Sequence, residues 1–185
     1  MAAPGYIVDG VLTDGEAWVA IETDTSSGST ALFNFTSTND GQVGDFSQYM
    51  DLILIFHINS TGSYSKVNFN SDTGSNYAYQ NFYASGSNDY AGSGTTTFLD
   101  GAWYNNTTKW GAAIIHLFDI NSGKYKTAIG QVAADADGSG SVALTATTWK
   151  SQAAITEIDI IDAGTANFAD ESMVSLFGIL PRMVA

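Results

Sequence analysis

Phe69-Asn-Ser-Asp-Thr-Gly-Ser-Asn-Tyr-Ala-Tyr-Gln80 reads as the end of one strand, a polar turn and the start of another. Phe69 closes a run of alternating apolar residues. Asp72, Thr73, Gly74, Ser75 and Asn76 carry turn chemistry: short polar side chains that bond nearby backbone, and a glycine free in its dihedrals. Tyr77, Tyr79 and then Phe82 open the next run with aromatic residues at strand spacing. Residue types in this order make no nucleophile, metal cage or phosphate cradle. The stretch is architectural, and it predicts a β-sandwich that presents surface.

The same pattern continues on both sides. Candidate strands cover 18–24, 31–36, 51–59, 65–70, 76–84, 96–101, 111–120, 124–132, 141–149, 154–161 and 172–180. Polar, turn-rich text separates them at 24–30, 38–44, 59–63, 85–95, 121–123 and 134–140. Apolar residues recur with period two rather than 3.6, clearest in Lys124-Tyr-Lys-Thr-Ala-Ile-Gly-Gln-Val and Thr156-Glu-Ile-Asp-Ile. Leu52-Ile-Leu-Ile-Phe and Ile114-Ile-His-Leu-Phe are continuous instead, which suits strands covered on both faces or lying mid-sheet. Helix signals are confined to single turns at 44–50 and 167–171. Short strands with turns about every eight to twelve residues, and no fixed-period repeat, give the expected fold class: all-β, a jelly-roll-like antiparallel β-sandwich.

Residues 1–16 differ. Pro4, Gly5, Gly10 and Gly15 punctuate two apolar pieces, Tyr6-Ile7-Val8 and Val11-Leu12. These read as a short extended N-terminal arm that docks on a neighbour through Tyr6, Ile7, Val8, Val11 and Leu12, with residues 17–185 forming a single sandwich domain. The alternative for such a segment is a frayed terminus.

Composition narrows the function. Among 185 residues, 44% are apolar, enough for a full core, and none is cysteine, so neither disulfides nor thiolate metal sites contribute. Six Lys+Arg against nineteen Asp+Glu give a formal charge of −13, yet charged residues make up only 14% of the chain. An acidic, lysine-poor surface has no footprint for phosphate backbones or anionic membranes, so neither nucleic acid nor membrane is expected as a partner. Self-repulsion keeps such a chain soluble at high local density. Residues 1–16 lack the basic start and long apolar stretch of a signal peptide, and the apolar runs are far shorter than a bilayer span.

Catalytic signals are weak, and no enzyme activity or cofactor is expected. Asp135-Ala-Asp137-Gly-Ser-Gly140 resembles the start of a calcium loop, making Asp135 and Asp137 weak candidates for a cation. Ser139 at its fifth position and Ala146 at its twelfth leave the ligand set incomplete, and a polar hairpin explains the residues equally well. His57 and His116 sit inside apolar strands with no carboxylate at strand spacing, which suits structural histidines bonded to backbone carbonyls better than a metal site. No G-x-S-x-G elbow is present.

Between Tyr77 and Trp110 the chain concentrates rings: Tyr77, Tyr79, Phe82, Tyr83, Tyr90, Phe98, Trp103, Tyr104 and Trp110, interleaved with Asn81, Asn88, Asp89, Asn105 and Asn106. Aromatic faces beside amides and carboxylates suit both sugar rings and protein interfaces. Tyr90, Trp103, Tyr104 and Asn105 are therefore the candidate glycan or subunit-interface residues.

The segments Tyr49-Met-Asp-Leu-Ile-Leu-Ile-Phe, Val67-Asn-Phe-Asn-Ser-Asp-Thr-Gly-Ser-Asn-Tyr-Ala-Tyr-Gln80, Ala154-Ile-Thr-Glu-Ile-Asp-Ile and Val174-Ser-Leu-Phe-Gly-Ile179 resemble a group of tailed-bacteriophage virion proteins. The Asn-x-Asp-Thr-Gly-x-Asn-Tyr turn is the most specific element, and the resemblance covers about residues 17–180. It implies jelly-roll domains on phage exteriors, of decoration (cement) or tail-fibre type, with no catalytic residues. A free-standing sandwich with a short arm resembles a decoration protein more than a fibre tip. The expectation is a capsid decoration protein, a homotrimer bound to the major capsid protein or other virion proteins. It would sit on the particle exterior after synthesis in the host cytoplasm. The alternative is a lectin-like receptor-binding module of a tail or head fibre that grips host glycans.

Overall fold

The runs of alternating residues become strands in a computed structural model that describes residues 7–8, 11–12, 18–28, 30–60, 64–86, 88–100, 110–134, 140–162 and 167–181. The strands are β1 (Ile7–Val8), β2 (Val11–Leu12), β3 (Trp18–Thr25), β4 (Leu32–Thr36), β5 (Asp51–Ile58) and β6 (Ser65–Phe69). They continue with β7 (Tyr77–Ser85), β8 (Asn88–Thr96), β9 (Gly111–Phe118), β10 (Lys126–Ala134), β11 (Ser141–Trp149), β12 (Glu157–Asp162) and β13 (Met173–Ile179). A 3-10 turn at Phe46–Gln48 is capped by the Asp45 carboxylate, which accepts from the Ser47 N–H at 2.9 Å.

Two antiparallel sheets form the sandwich: one of eight strands in the order β3-β13-β5-β9-β10-β11-β7-β8, and one of three in the order β4-β12-β6. The pairings nest. First pairs with last (β3–β13), second with second-last (β4–β12), then β5 with β9, and β6 closes on Leu99 through a Val67–Leu99 bridge. Successive members of this nest cross between the sheets. This is jelly-roll connectivity, an antiparallel ribbon rolled on itself, so the fold is an all-β jelly-roll sandwich. Two further hairpins, β7–β8 and β10–β11, are inserted in the roll and widen only the larger sheet.

The quoted turn is one of the crossings. Phe69 ends β6 in the small sheet and Tyr77 begins β7 in the large one, so the turn stitches the two layers together. Asn70 and Ser71 take positive φ of 51° and 56° to make the reversal. Between the layers lies an aromatic core of fully buried Phe33, Phe35, Phe69, Phe168, Tyr77 and Trp149. Phe69 meets Trp149 edge-on at 5.5 Å, and Phe33 meets Phe168 at 4.7 Å. Each such side chain contributes roughly 1.5–3 kcal/mol on burial.

Three expectations need correction. Residues 85–95, read as turn, belong mostly to β8, an edge strand that pairs residue for residue with β7 from Tyr77–Thr96 to Ser85–Asn88. Its Asn, Gly and Ser content hides it from any hydrophobic pattern, because the ladder is backbone chemistry templated by β7. The strand expected at 96–101 is correspondingly absent: Thr96 ends β8 and Leu99 makes one isolated bridge. Phe82 faces away from Tyr77 and Tyr79, being an odd number of residues from both. In the arm, Ile7–Val8 pairs antiparallel with Val11–Leu12 in a sheet of its own, while Tyr6 lies outside the described residues.

Candidate functional site

Because the inserted hairpins widen one sheet and not the other, the large sheet overhangs the small one. The inner face of β7–β8 therefore passes beyond its cover. In an antiparallel ladder, cross-strand neighbours share a face, and here Tyr79 stands opposite Gly94, Asn81 opposite Gly92 and Tyr83 opposite Tyr90. Two glycines on alternate, inward positions of β8 let the tyrosine rings lie against its backbone. A Cβ at Gly92 would lie 2.8 Å from Tyr90 Cε1, and one at Gly94 3.2 Å from the Tyr79 hydroxyl.

These rings border a pocket of about 410 Å³ walled by Tyr79, Tyr83 and Tyr90 together with Tyr64 and Phe98. Tyr83 and Tyr90 lean together at 5.0 Å between centroids. Asn81 and Asp100 also line it; they are 7% and 9% exposed, and the Asn81 amide donates to Asp100 Oδ2 at 3.0 Å. The Asn81 carbonyl oxygen has no hydrogen-bond partner among the described residues. The same holds for the buried hydroxyls of Thr145 and Thr147, which stand opposite Asn81 and Tyr79 in the β11–β7 ladder. Leaving a buried acceptor unpaired costs about 1–3 kcal/mol, so Asn81, on the pocket floor, is held there at a cost in stability. At the rim the Lys66 ammonium sits 5.8 Å from the Tyr64 ring centre and 5.5 Å from that of Phe98.

The outer face of the large sheet is different in kind. Register places Ile55, Ile114, Gln131, Leu144, Phe82 and Ala91 in one row across six strands. The next row holds His57, Ala112, Ala133, Val142, Ala84 and Asp89, and the row on the other side Ile53, His116, Ile129, Ala146, Gln80 and Ser93. Of these positions Asp89 is the only Asp, Glu, Lys or Arg. Val142, Phe82 and Leu144 are 56%, 53% and 49% exposed. Ile55, Ala112, Ile114 and Val142 help to line a shallow apolar trough of about 600 Å³.

Tyr90, one of the four residues singled out from the sequence, lies in the tyrosine pocket. Trp103, Tyr104 and Asn105 lie outside the described residues, as do Asp135 and Asp137. The pocket's other members, Tyr79, Asn81, Tyr83 and Phe98, stand within the aromatic run, but their common face emerges only once β8 is seen as a strand. Gly92, Gly94 and Asp100 carried no signal of their own.

The histidines also need correction. His116 Nε2 lies 2.9 Å from Asp51 Oδ2, and Asp51 Oδ1 accepts from the Asp119 N–H at 2.8 Å, so this imidazole has a carboxylate partner from the neighbouring strand. Strand pairing, invisible in sequence spacing, brings Asp51 to it. His57 stacks on Trp110 at 4.7 Å. Among the described residues no group of three or more His, Asp or Glu is placed to hold a metal ion, and no helix is long and apolar enough to cross a membrane. Compared with protein-family models, with curated proteins and with solved structures, the chain matches none.

Proposed function

We propose that this chain is a non-enzymatic structural protein of a tailed-phage virion, an oligomeric jelly roll that decorates and reinforces the capsid exterior. The reading joins the sequence resemblance, carried by the turn at 69–80, to one structural observation. A chain of charge −13 keeps the outer face of its large sheet almost free of charge and rich in exposed aliphatic groups. Isolated exposed aliphatics are ordinary, but contiguous rows of them are the mark of a contact surface.

The occupant of that face is a second copy of the chain. From strand spacing and rise, the three rows and their margins span roughly 600–800 Å², close to the ~800 Å² per partner of a standard interface. A flat, uncharged patch is also a surface on which two strongly acidic molecules meet with little repulsion. A closed cyclic assembly, a trimer by the resemblance, would present several N-terminal arms to a repeating lattice at once and gain avidity.

Sedimentation equilibrium on the full chain tests self-association, with Leu144→Glu as the probe. An oligomer at micromolar concentration that reverts to monomer in the variant supports the reading, and a monomeric wild type overturns it. Particle association is tested separately: removing residues 2–14 should abolish binding to capsids while the isolated fold persists. Wild-type binding by the truncated chain would remove the arm from the account.

A further inference from the structure

We propose that the tyrosine pocket beneath the β7–β8 overhang is a binding site for an uncharged hexopyranose, a role separate from assembly through the outer face. Three observations carry it. The walls are ring faces, which pack against the C–H face of a pyranose. The floor holds an amide and a carboxylate, both nine-tenths or more buried, and the amide oxygen lacks a partner among the described residues. That pairing of apolar wall with a few fixed polar groups is the general form of a small-ligand site, and the volume of about 410 Å³ falls in the range of such sites. Third, the wall rings of Tyr90 and Tyr79 lie directly over Gly92 and Gly94, where any Cβ would crowd them, and glycine in a strand interior weakens the strand, so seating these rings has a cost in stability.

Charge selects among ligands. Asp100 at the floor, in a chain of −13, disfavours carboxylated and phosphorylated sugars. A cationic ligand such as choline would use an aromatic cage, but the Lys66 ammonium already faces two of the rings and would repel it. A neutral sugar meets neither objection: its hydroxyls donate to Asn81 Oδ1 and Asp100 while its apolar face lies on tyrosine.

The test uses the full chain, isotope-labelled, titrated with glucose, galactose and mannose oligosaccharides of increasing length, with glucuronate and with choline. Saturable shifts by a neutral sugar, centred on the amides of Tyr79, Asn81, Tyr90 and Gly92, are expected. Tightening with length would assign the site to a polymer, and a flat response to a terminal residue; both are forms of the same site. Tyr90→Ala, at a half-exposed position, should weaken binding at least tenfold with an unchanged melting temperature. The outer-face variant Leu144→Glu should bind sugar normally, which separates this site from the assembly surface. Three results overturn the proposal: no response to any neutral sugar, response confined to glucuronate or choline, or shifts that map away from β7–β8. Should Tyr90→Ala fail to fold, the wild-type shift map alone decides.

Discussion

Trp149 donates its indole Nε1–H to the Asp72 carboxylate at 2.7 Å, tying the end of β11 to the turn that carries the chain from one sheet to the other. Asp72 is the hub of that turn. Its side chain also accepts from the Gly74 N–H at 2.9 Å and from the Asn76 amide, while its backbone carbonyl accepts from Asn68 and from the Tyr77 hydroxyl. Trp149→Phe keeps the ring packing and removes one charge-assisted bond, so it should cost about 1.5–3 kcal/mol. Asp72→Ala leaves the buried indole N–H unpaired and frees the turn, and should cost more than Trp149→Phe. Chemical denaturation of both variants checks the order.

The same carboxylate makes the fold acid-sensitive. Burial pulls the Asp72 pKa upward, but hydrogen bonds from Trp149, Gly74 and Asn76 outweigh it and hold the group below its ordinary value of 3.8. A carboxylate depressed in the folded state contributes stability that is complete above its unfolded pKa and is lost as pH falls through the folded one. Stability should therefore drop below about pH 4, and Asp72→Asn should flatten that part of the curve. Denaturation midpoints measured from pH 2 to 6 in the two proteins decide it.

Gly178 lies on the face of β13 against which Tyr49 packs. A Cβ there would fall inside the van der Waals envelope of three ring carbons of Tyr49, a buried side chain whose hydroxyl is tied to the Val43 carbonyl at 2.8 Å. The ring has nowhere to go. Gly178→Ala should destabilise by the upper end of the roughly 1–3 kcal/mol typical of core overpacking, and Gly178→Ala with Tyr49→Ala should recover part of that loss relative to Tyr49→Ala alone. Thermal melts of the three variants form the necessary cycle.

How much of this was legible beforehand varies with the kind of force involved. Strands whose side chains divide between core and solvent announce themselves by alternation, and Ser141–Trp149 was bounded correctly for that reason. β8 did not, because its stability comes from a backbone ladder to β7, and glycine and serine leave no apolar period. Pairings such as β3 with β13 and His116 with Asp51 join residues far apart in the chain, and nothing local encodes them. The tyrosine pocket was half visible. Tyr79, Tyr83, Tyr90, Phe98 and Asn81 stood out in composition and Tyr64 did not, and the glycines over which two of the rings lie become informative only when the ladder puts them opposite Tyr79 and Asn81.

Two tyrosines give the fold an alkaline limit. Burial drives both Tyr49 and Tyr77 up to about 12, with the nearby charge of Asp45 adding to the effect at Tyr49. Raised in the folded state, each contributes stability that is fully present below the ordinary tyrosine value near 10 and is lost as pH climbs through the folded value. Phenolate absorbance should show a late stage, from these two residues, that coincides with unfolding. Tyr77→Phe should remove part of the alkaline loss; it should also cost stability at neutral pH, since the hydroxyl accepts from the Phe69 N–H at 3.0 Å.

Self-association through an apolar face on an acidic molecule has a definite salt dependence. Copies carrying −13 each repel over the Debye length, which is about 10 Å at 0.1 M salt and about 3 Å at 1 M. Contact between the rows of Ile55, Leu144 and Phe82 is not weakened by screening, so added salt removes only the opposing term. Association should therefore tighten several-fold between low and high salt, the reverse of an interface built on ion pairs. Sedimentation at a series of sodium chloride concentrations measures it. Weakening with salt would mean that the copies meet through charged surface, and the outer sheet face would lose its assigned role.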